Sequence, residues 1–353
     1  MNFRIEENVS LAEYTTLKIG GKARFFLSAK DESEIIEALR FAEKNNLNVF
    51  ILGGGSNVLI ADSGFDGLVL QISLKGISGL QEKDGSVYIT ANAGENWDTL
   101  VAYCVARNLQ GVECLSGIPG SVGGTPVQNV GAYGQEVSET IVTVRLVDTK
   151  TKKIVNLTNQ ECKFAYRKSI FNTSEKNRFI VLAVTYALNS GGEPKIVYRD
   201  LQNYFGERKP SLEETRRAIL EIRAEKSMVI DELDPNARSA GSFFKNPIVS
   251  KVQFAGIEIR ADNLEIDRVP HFPAEDETIK IPAAWLIEKS GFNKGFRFGR
   301  VGLSTKHTLA IVNRGGASAQ DILLLKNEIE SKVKDKFDIQ LVPEPVFIGF
   351  ENY

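Results

Sequence analysis

Apolar residues along this chain change their spacing several times, and each change marks an element. Ile35, Leu39 and Ala42 recur at helical intervals behind Asp31-Glu32-Ser33-Glu34. Asp31 is placed to cap that helix and Glu34 stands at the capping-box position. Val49 to Leu52 is a short apolar run that predicts a strand and ends in Gly53-Gly54-Gly55. Val58-Leu59-Ile60, apolar and largely β-branched, predicts extended chain after those glycines, not a helix. Trp97, Leu100, Val101, Cys104 and Val105 predict a second helix. Ile141 to Asp148 and Lys153 to Leu157 predict a hairpin around Thr149-Lys150-Thr151-Lys152, and Phe179 to Leu188 a further strand, broken by Gly191-Gly192-Glu193-Pro194. Ser211 with Glu214 forms a capping box for a helix bearing Leu212, Ile219 and Ile222. Arg223 and Lys226 close that helix, where cations suit the negative end of its dipole. Ser318 with Asp321 opens another, through Ile322, Leu325, Ile329 and Val333. A closing strand runs from Ile339 to Ile348, interrupted by Pro343 and Pro345. Strands and helices mix without strict βα alternation, which predicts the α+β class.

Two glycine-rich loops stand out against this frame. The first is Gly53-Gly54-Gly55-Ser56-Asn57-Val58. The second is Ile118-Pro119-Gly120-Ser121-Val122-Gly123-Gly124-Thr125-Pro126, continued by Gln128-Asn129 and Gly131-Ala132-Tyr133-Gly134. Glycine lets a backbone approach a ligand closely and present unblocked N–H groups to anionic oxygens. Two such loops, about seventy residues apart, suggest a grip on a large diphosphate cofactor from two sides. A Rossmann site is disfavoured, because strand follows the first loop where helix is required and Val58 replaces the third glycine of that pattern. No Gly-Lys-Ser/Thr follows either loop, so the P-loop reading fails as well.

Composition narrows the classes further. A chain of 353 residues that is 42% hydrophobic has room for two or three domains with sizeable cores. A formal net charge of -2 argues against a general nucleic-acid binder. Three cysteines, Cys104, Cys114 and Cys162, form no CxxC pair, which speaks against a disulfide framework or a zinc site. Cys104 lies on an apolar helical stripe and reads as core. The first residues lack the basic start and apolar run of a signal peptide, and no apolar stretch is long enough to span a bilayer. No membrane insertion and a reducing cytoplasm are expected. With only His271 and His307, and no GxSxG elbow, neither a Ser-His-Asp hydrolase nor a catalytic metal centre is supported. Chemistry carried by an organic cofactor is what remains.

Three polar segments are candidates for the protein's share of that chemistry. Arg167 stands in Phe164-Ala165-Tyr166-Arg167-Lys168-Ser169-Ile170-Phe171, where a guanidinium among apolar neighbours needs an anionic partner, a ligand or a structural carboxylate. Ser242 and Asn246 are presented in Ser239-Ala240-Gly241-Ser242-Phe243-Phe244-Lys245-Asn246-Pro247, though serine and asparagine also serve to cap turns. Glu344 is held between Pro343 and Pro345, either as a placed carboxylate or as a solvated residue on a stiff edge strand.

Five stretches, in order and spread over nearly the whole chain, resemble the UDP-N-acetylenolpyruvoylglucosamine reductase family of peptidoglycan precursor synthesis, in its type I subgroup with a tyrosine loop. They are Leu52 to Leu59, Ile118 to Gly134, Tyr166-Arg167-Lys168-Ser169-Ile170-Phe171, Ala240 to Pro247, and Pro343-Glu344. The Gly-Ser-Phe-Phe-Lys-Asn-Pro stretch is the most specific. The resemblance implies non-covalent FAD in a vanillyl-alcohol-oxidase-type fold of two subdomains, plus a C-terminal α+β substrate domain. It places the first subdomain at 1–75 with 338–353, the second at 76–227 and the substrate domain at 228–337. NADPH is implied as reductant, and the enolpyruvyl ether of UDP-N-acetylglucosamine as acceptor. By the same resemblance, Arg167 and Glu344 stabilise the intermediate and Ser242 delivers the proton. FAD falls to Gly53, Gly54, Gly55, Ser56, Asn57 and Val58, and to Ile118, Pro119, Gly120, Ser121, Gly123, Gly124, Thr125, Gln128, Asn129, Gly131, Ala132, Tyr133 and Gly134. Substrate contacts fall to Tyr166, Tyr198, Lys226 and Asn246, and a monomer is expected. Two departures are visible. Ser227-Met228-Val229-Ile230 replaces a Pro-Asp-Pro-like turn, and Lys306-His307 stands where some relatives carry glutamine. Two rival readings are a flavin oxidase acting on a small alcohol or sugar, and a non-enzymatic nucleotide-sugar module.

Overall fold

The computed structural model describes residues 4–83, 85–266 and 268–350. They form two compact units, one of residues 4–9, 23–55 and 66–230, the other of 10–22, 56–65 and 231–350.

The first unit holds two larger sheets and a two-stranded one, Gly131–Ala132 with Gln135–Glu136. One has four strands, in the order Glu6–Ser10, Lys22–Ala29, Phe65–Ile72, Asn48–Leu52, with the last two parallel and Leu52 beside Gln71. Parallel pairing requires a crossover, which residues 53–64 supply, and the helix Glu32–Lys44 joins Lys22–Ala29 to Asn48–Leu52. Asp31 caps that helix at the Glu34 amide, 2.9 Å, while Glu34 reaches back to the Lys30 amide. The second sheet runs Ile154–Thr158, Ile141–Asp148, Phe179–Ser190, Ser86–Asn92, Ile77–Lys83, with Leu109–Gln110 added beside the end of Phe179–Ser190. The expected hairpin is therefore present, Val147 opposite Ile154. Helices Trp97–Val105 and Leu212–Glu225 complete this unit's frame. Trp97, Leu100, Val101, Cys104 and Val105 are all buried, as their spacing predicts. Ser211 and Glu214 exchange the two bonds of a capping box, 3.1 and 2.8 Å.

The second unit packs three helices, Lys251–Asn263, Ala283–Lys289 and Ala319–Phe337, with small two- and three-stranded sheets. Ser318 and Asp321 cap the longest helix as expected, and Ile322, Leu325, Ile329 and Val333 are buried along it. Val58–Ile60 is a strand, as its residues predict, and pairs in parallel with Val346–Ile348. The closing strand is shorter than the Ile339 to Ile348 run suggests. Pro343 and Pro345 have no N–H to give a ladder, so regular pairing starts at Val346.

Three helices escape the periodicity reading. Arg199–Phe205 and Ala283–Lys289 are two turns each, too short for a pattern. Lys251–Asn263 buries Phe254, Ile257 and Ala261 but leaves Val252 and Ile259 83% and 62% exposed, which blurs its apolar face. No helix among the described residues is long and apolar enough to cross a membrane.

Candidate active site

The two glycine loops meet inside the first unit. Asn48–Leu52 delivers the chain to Gly53 and Gly54. A Cβ on Gly54 would lie 2.7 Å from the Gly120 Cα, and one on Gly53 would lie 2.8 Å from the Ser121 Oγ. Only glycine permits this approach. The second loop is fastened from behind. Trp97 N–H donates to Gly120 O, Val122 N–H to Glu95 O and Gly123 N–H to Ala93 O, at 2.9 to 3.1 Å. The amides of Gly54, Gly55 and Ser121 donate to no backbone carbonyl among the described residues. A Cβ on Gly124 would meet nothing within 4 Å. Backbone in mutual contact, with amides left over, fits a diphosphate-bearing cofactor such as FAD.

Some side chains of these loops have partners within the protein. Thr125 is buried, its hydroxyl donating to Val122 O and lying 3.1 Å from the Tyr186 hydroxyl. Asn129 is buried with φ 46°; its Nδ2 donates to Glu136 and to Ala165 O, and its Oδ1 accepts from Ser138 N–H. Asn129 thereby holds the turn that carries Arg167. Ala165 and Lys168 exchange two backbone bonds of 3.0 Å, which puts Tyr166 and Arg167 at the tip of a two-residue hairpin. Arg167 has φ 56°, a conformation uncommon outside glycine. Asn172 Nδ2 holds its carbonyl and the Ser169 hydroxyl donates to Val127 O, so the strained turn is braced on both sides.

Asp98 anchors the entry to the second loop. Arg216 grips its carboxylate with both Nη atoms, at 2.5 and 2.8 Å, and the Gly117 amide donates to it at 2.6 Å. Burial pushes the Asp98 carboxyl up. The Arg216 hydrogen bond, the Gly117 amide and the charges of Arg216 and Arg223 outweigh it and hold the carboxyl below 3.8. A depressed folded value gives stability that is whole above about pH 3.8 and lost as pH falls through that folded value. Asp98→Asn is expected to melt lower at neutral pH and to lose part of the acid dependence, read from melting curves between about pH 3 and 7.

Beyond the second loop, the chain builds a cluster of cations and phenols. Tyr133, with φ 50°, packs edge-on against Tyr198, ring centroids 5.4 Å apart. Gly134 allows this, since a Cβ there would lie 2.5 Å from Val197. Arg223 is buried beside Tyr133 and donates to Met228 O at 2.6 Å. Burial raises the Tyr133 phenol above its ordinary value, opposed by the charges of Arg223 and Lys226. Lys226 Nζ donates to Asp200 Oδ2 at 2.5 Å. Glu113, fully buried, ties this region together by accepting from the amides of Gly111 and Lys195 and from Gln135 Nε2. Asp200 and Glu113 carry no motif, and only folding reveals them.

In the second unit, Gly241 takes φ 69° and hands the chain to Ser242. Phe243 and Phe244 are buried and anchor the turn into the core. Phe243 N–H donates to Leu309 O, Glu344 N–H to Phe243 O and Lys245 N–H to Val342 O, at 2.8 to 2.9 Å. Ser242 and Glu344, about a hundred residues apart in sequence, are thus held on paired segments. The Ser242 hydroxyl has no hydrogen-bond partner among the described residues, so it is not the cap of its own turn. Asn246 is a cap: its Oδ1 accepts from the Ala283 amide at 2.9 Å and starts the helix Ala283–Lys289. Asn57 Nδ2 donates to Glu344 O, and Asn57 O accepts from the Val346 amide. The segment after Lys226 turns back through Met228 N–H to Arg223 O. It then crosses the Asp231–Asp234 and Asp234–Ala237 turns before Ser239 bridges Val312.

Comparison with known proteins bears on both units. The family model of the UDP-N-acetylenolpyruvoylglucosamine reductase C-terminal domain matches residues 234–348, and that of an FAD binding domain matches 23–158. The chain is 44% identical to the UDP-N-acetylenolpyruvoylglucosamine reductase of Thermobifida fusca over 99% of both chains. It is 43% identical to that of Saccharopolyspora erythraea, over 96% of this chain and 94% of the relative. It is also similar to the crystal structure of the reductase from Thermus caldophilus, with 25% identity and a TM-score of 0.65 across 98% of this chain and 99% of that one. By sequence and by fold, the chain belongs to the UDP-N-acetylenolpyruvoylglucosamine reductase family and carries an FAD-binding domain.

Proposed function

We propose that this flavin-dependent oxidoreductase uses NADPH and non-covalent FAD to reduce UDP-N-acetylglucosamine enolpyruvate to UDP-N-acetylmuramate. The observation that carries the reading is Ser242. Its hydroxyl has no partner among the described residues, on a glycine turn whose next residues are clamped to the Glu344 segment. The joined glycine loops, in the 23–158 FAD-binding domain, are the seat for the cofactor. When bound, the flavin supplies the hydride, at N5, after NADPH has reduced it.

The chain's own residues do the rest. Arg167, on its braced hairpin tip, meets the negative charge that develops on the carboxylate side of the substrate. A fixed cation there contributes about 3 kcal/mol. Glu344 polarises the same intermediate. Ser242 donates the proton; a hydroxyl is a weak acid, suited only to a strongly basic carbanion held within about 3 Å. A non-covalent cofactor agrees with the cysteines: Cys104, Cys114 and Cys162 are all buried, and burial pushes the Cys104 and Cys162 thiols to about 12. Both histidines lie late in the chain, at 271 and 307, outside the matched FAD-binding domain. Peptidoglycan precursor synthesis in the cytoplasm, by a monomer, completes the proposal.

The deciding measurement is the flavin absorbance under anaerobic conditions. The purified protein should be yellow, bleach with NADPH, and regain its colour only when the enolpyruvyl nucleotide is added. Colourless protein that FAD cannot reconstitute contradicts the reading, and recovery with oxygen but not with the nucleotide favours an oxidase.

A further inference from the structure

Two cations, Arg223 and Lys226, stand at the C-terminal end of Leu212–Glu225 beside the phenol of Tyr133. Arg223 is 7% exposed, and its Nε has no acceptor among the described residues. Lys226 is two-fifths exposed, with Tyr133 and Tyr198 among its electrostatic neighbours. Asp98 is already held by both Nη atoms of Arg216. The carboxylate that Lys226 meets is Asp200, at 2.5 Å, with the side chain one-third exposed. Burial pulls the Lys226 ammonium down, but its bond to Asp200 and the neighbouring charges more than reverse this.

Asp200 stands two residues after Tyr198, as the second residue of the helix Arg199–Phe205, which follows a stretch, 192–198, with no helix or strand. One segment therefore brings a phenol to Tyr133 and a carboxylate to Lys226. A phosphate oxygen arriving at Lys226 meets a cation already in use, and two anions on one ammonium repel each other.

We propose that Asp200 is an internal stand-in for the substrate's diphosphate, a positioning residue that occupies Lys226 until a nucleoside diphosphate displaces it. The inference rests on the proposed function and on Lys226 being one of the substrate contacts that the family resemblance implies.

The test uses the FAD-loaded full chain and UDP as probe, titrated calorimetrically at two salt concentrations, with KM and kcat for the enolpyruvyl nucleotide alongside. Asp200→Asn and Asp200→Ser are expected to bind UDP about 1.5- to fivefold more tightly, the span of a partly exposed ion pair. KM should fall with UDP affinity while kcat does not rise. Asp200→Glu should bind as the unaltered protein does. In a Lys226→Ala background, the change at 200 should have no effect on UDP. A merely structural Asp200 predicts the opposite: lower melting temperature and weaker UDP binding in both neutral variants. That result, or unchanged affinity, overturns the proposal. If Lys226→Ala alone leaves UDP affinity intact, the underlying reading of Lys226 fails instead.

Discussion

Replacing Ser242 by alanine should leave flavin reduction by NADPH intact and slow reduction of the enolpyruvyl nucleotide by a factor of about 10²–10⁴, the range for loss of a positioned general acid. The structure makes this a clean experiment. The Ser242 hydroxyl has no hydrogen-bond partner among the described residues, so its removal breaks no internal contact. The turn is held by other groups. Gly241 supplies the φ of 69°, Phe243 and Phe244 are buried, and backbone bonds to Leu309, Val342 and Glu344 fix the path. Folding, FAD content and melting temperature should therefore match those of the unaltered enzyme. Stopped-flow absorbance separates the two half-reactions. Unchanged nucleotide reduction would remove Ser242 as the proton donor, and equal loss in both halves would point to a misplaced cofactor.

The second large effect is expected at Gly54. An alanine Cβ there would lie 2.7 Å from the Gly120 Cα, 2.9 Å from its carbonyl carbon and 3.1 Å from the Ser121 nitrogen. All three are backbone atoms of a loop fastened to residues 93–97, so no side chain can swing aside. The two glycine loops must part. Overpacking of this kind costs about 1–3 kcal/mol, and here the strain falls on the surface that would hold the diphosphate. Gly54→Ala should purify pale or colourless, retain little FAD after desalting, and melt lower even without cofactor. Gly124→Ala is the control. A Cβ there meets nothing within 4 Å, so the cofactor-free protein should keep its melting temperature. If Gly54→Ala holds FAD as firmly as the unaltered chain, the contact between the loops is not what shapes the site.

Much of this site is legible without coordinates, for a definite reason. Gly54 is conspicuous because close backbone approach admits no other residue, and its contacts with the Gly120 and Ser121 backbone are that approach. Tyr133 and Arg167 are less legible. Each sits at the tip of a two-residue turn, closed by the Ala132–Gln135 pairing and by the Ala165–Lys168 bonds, and neither is the glycine or asparagine that usually marks a positive φ. Asn246 is a different case: its motif points to a ligand, and folding gives its Oδ1 a second task, accepting from the Ala283 amide. A sequence presents an asparagine's capacity to bond but not which donor reaches it first.

Local sequence is enough for whatever neighbouring residues settle among themselves: three capped helices, the hairpin ending at Thr158, the strand after the first glycine loop, and the α+β class. Capping and period act within a few residues, so they hold whichever distant segments pair. It took the folded chain to establish that Val346–Ile348 pairs with Val58–Ile60, that the Glu344 amide is held by Phe243, and that Lys226 faces Asp200. Each of these pairings joins residues tens to hundreds of positions apart. Which pair forms depends on closing long loops against every competing partner, a choice made by the packed core and not by any local pattern.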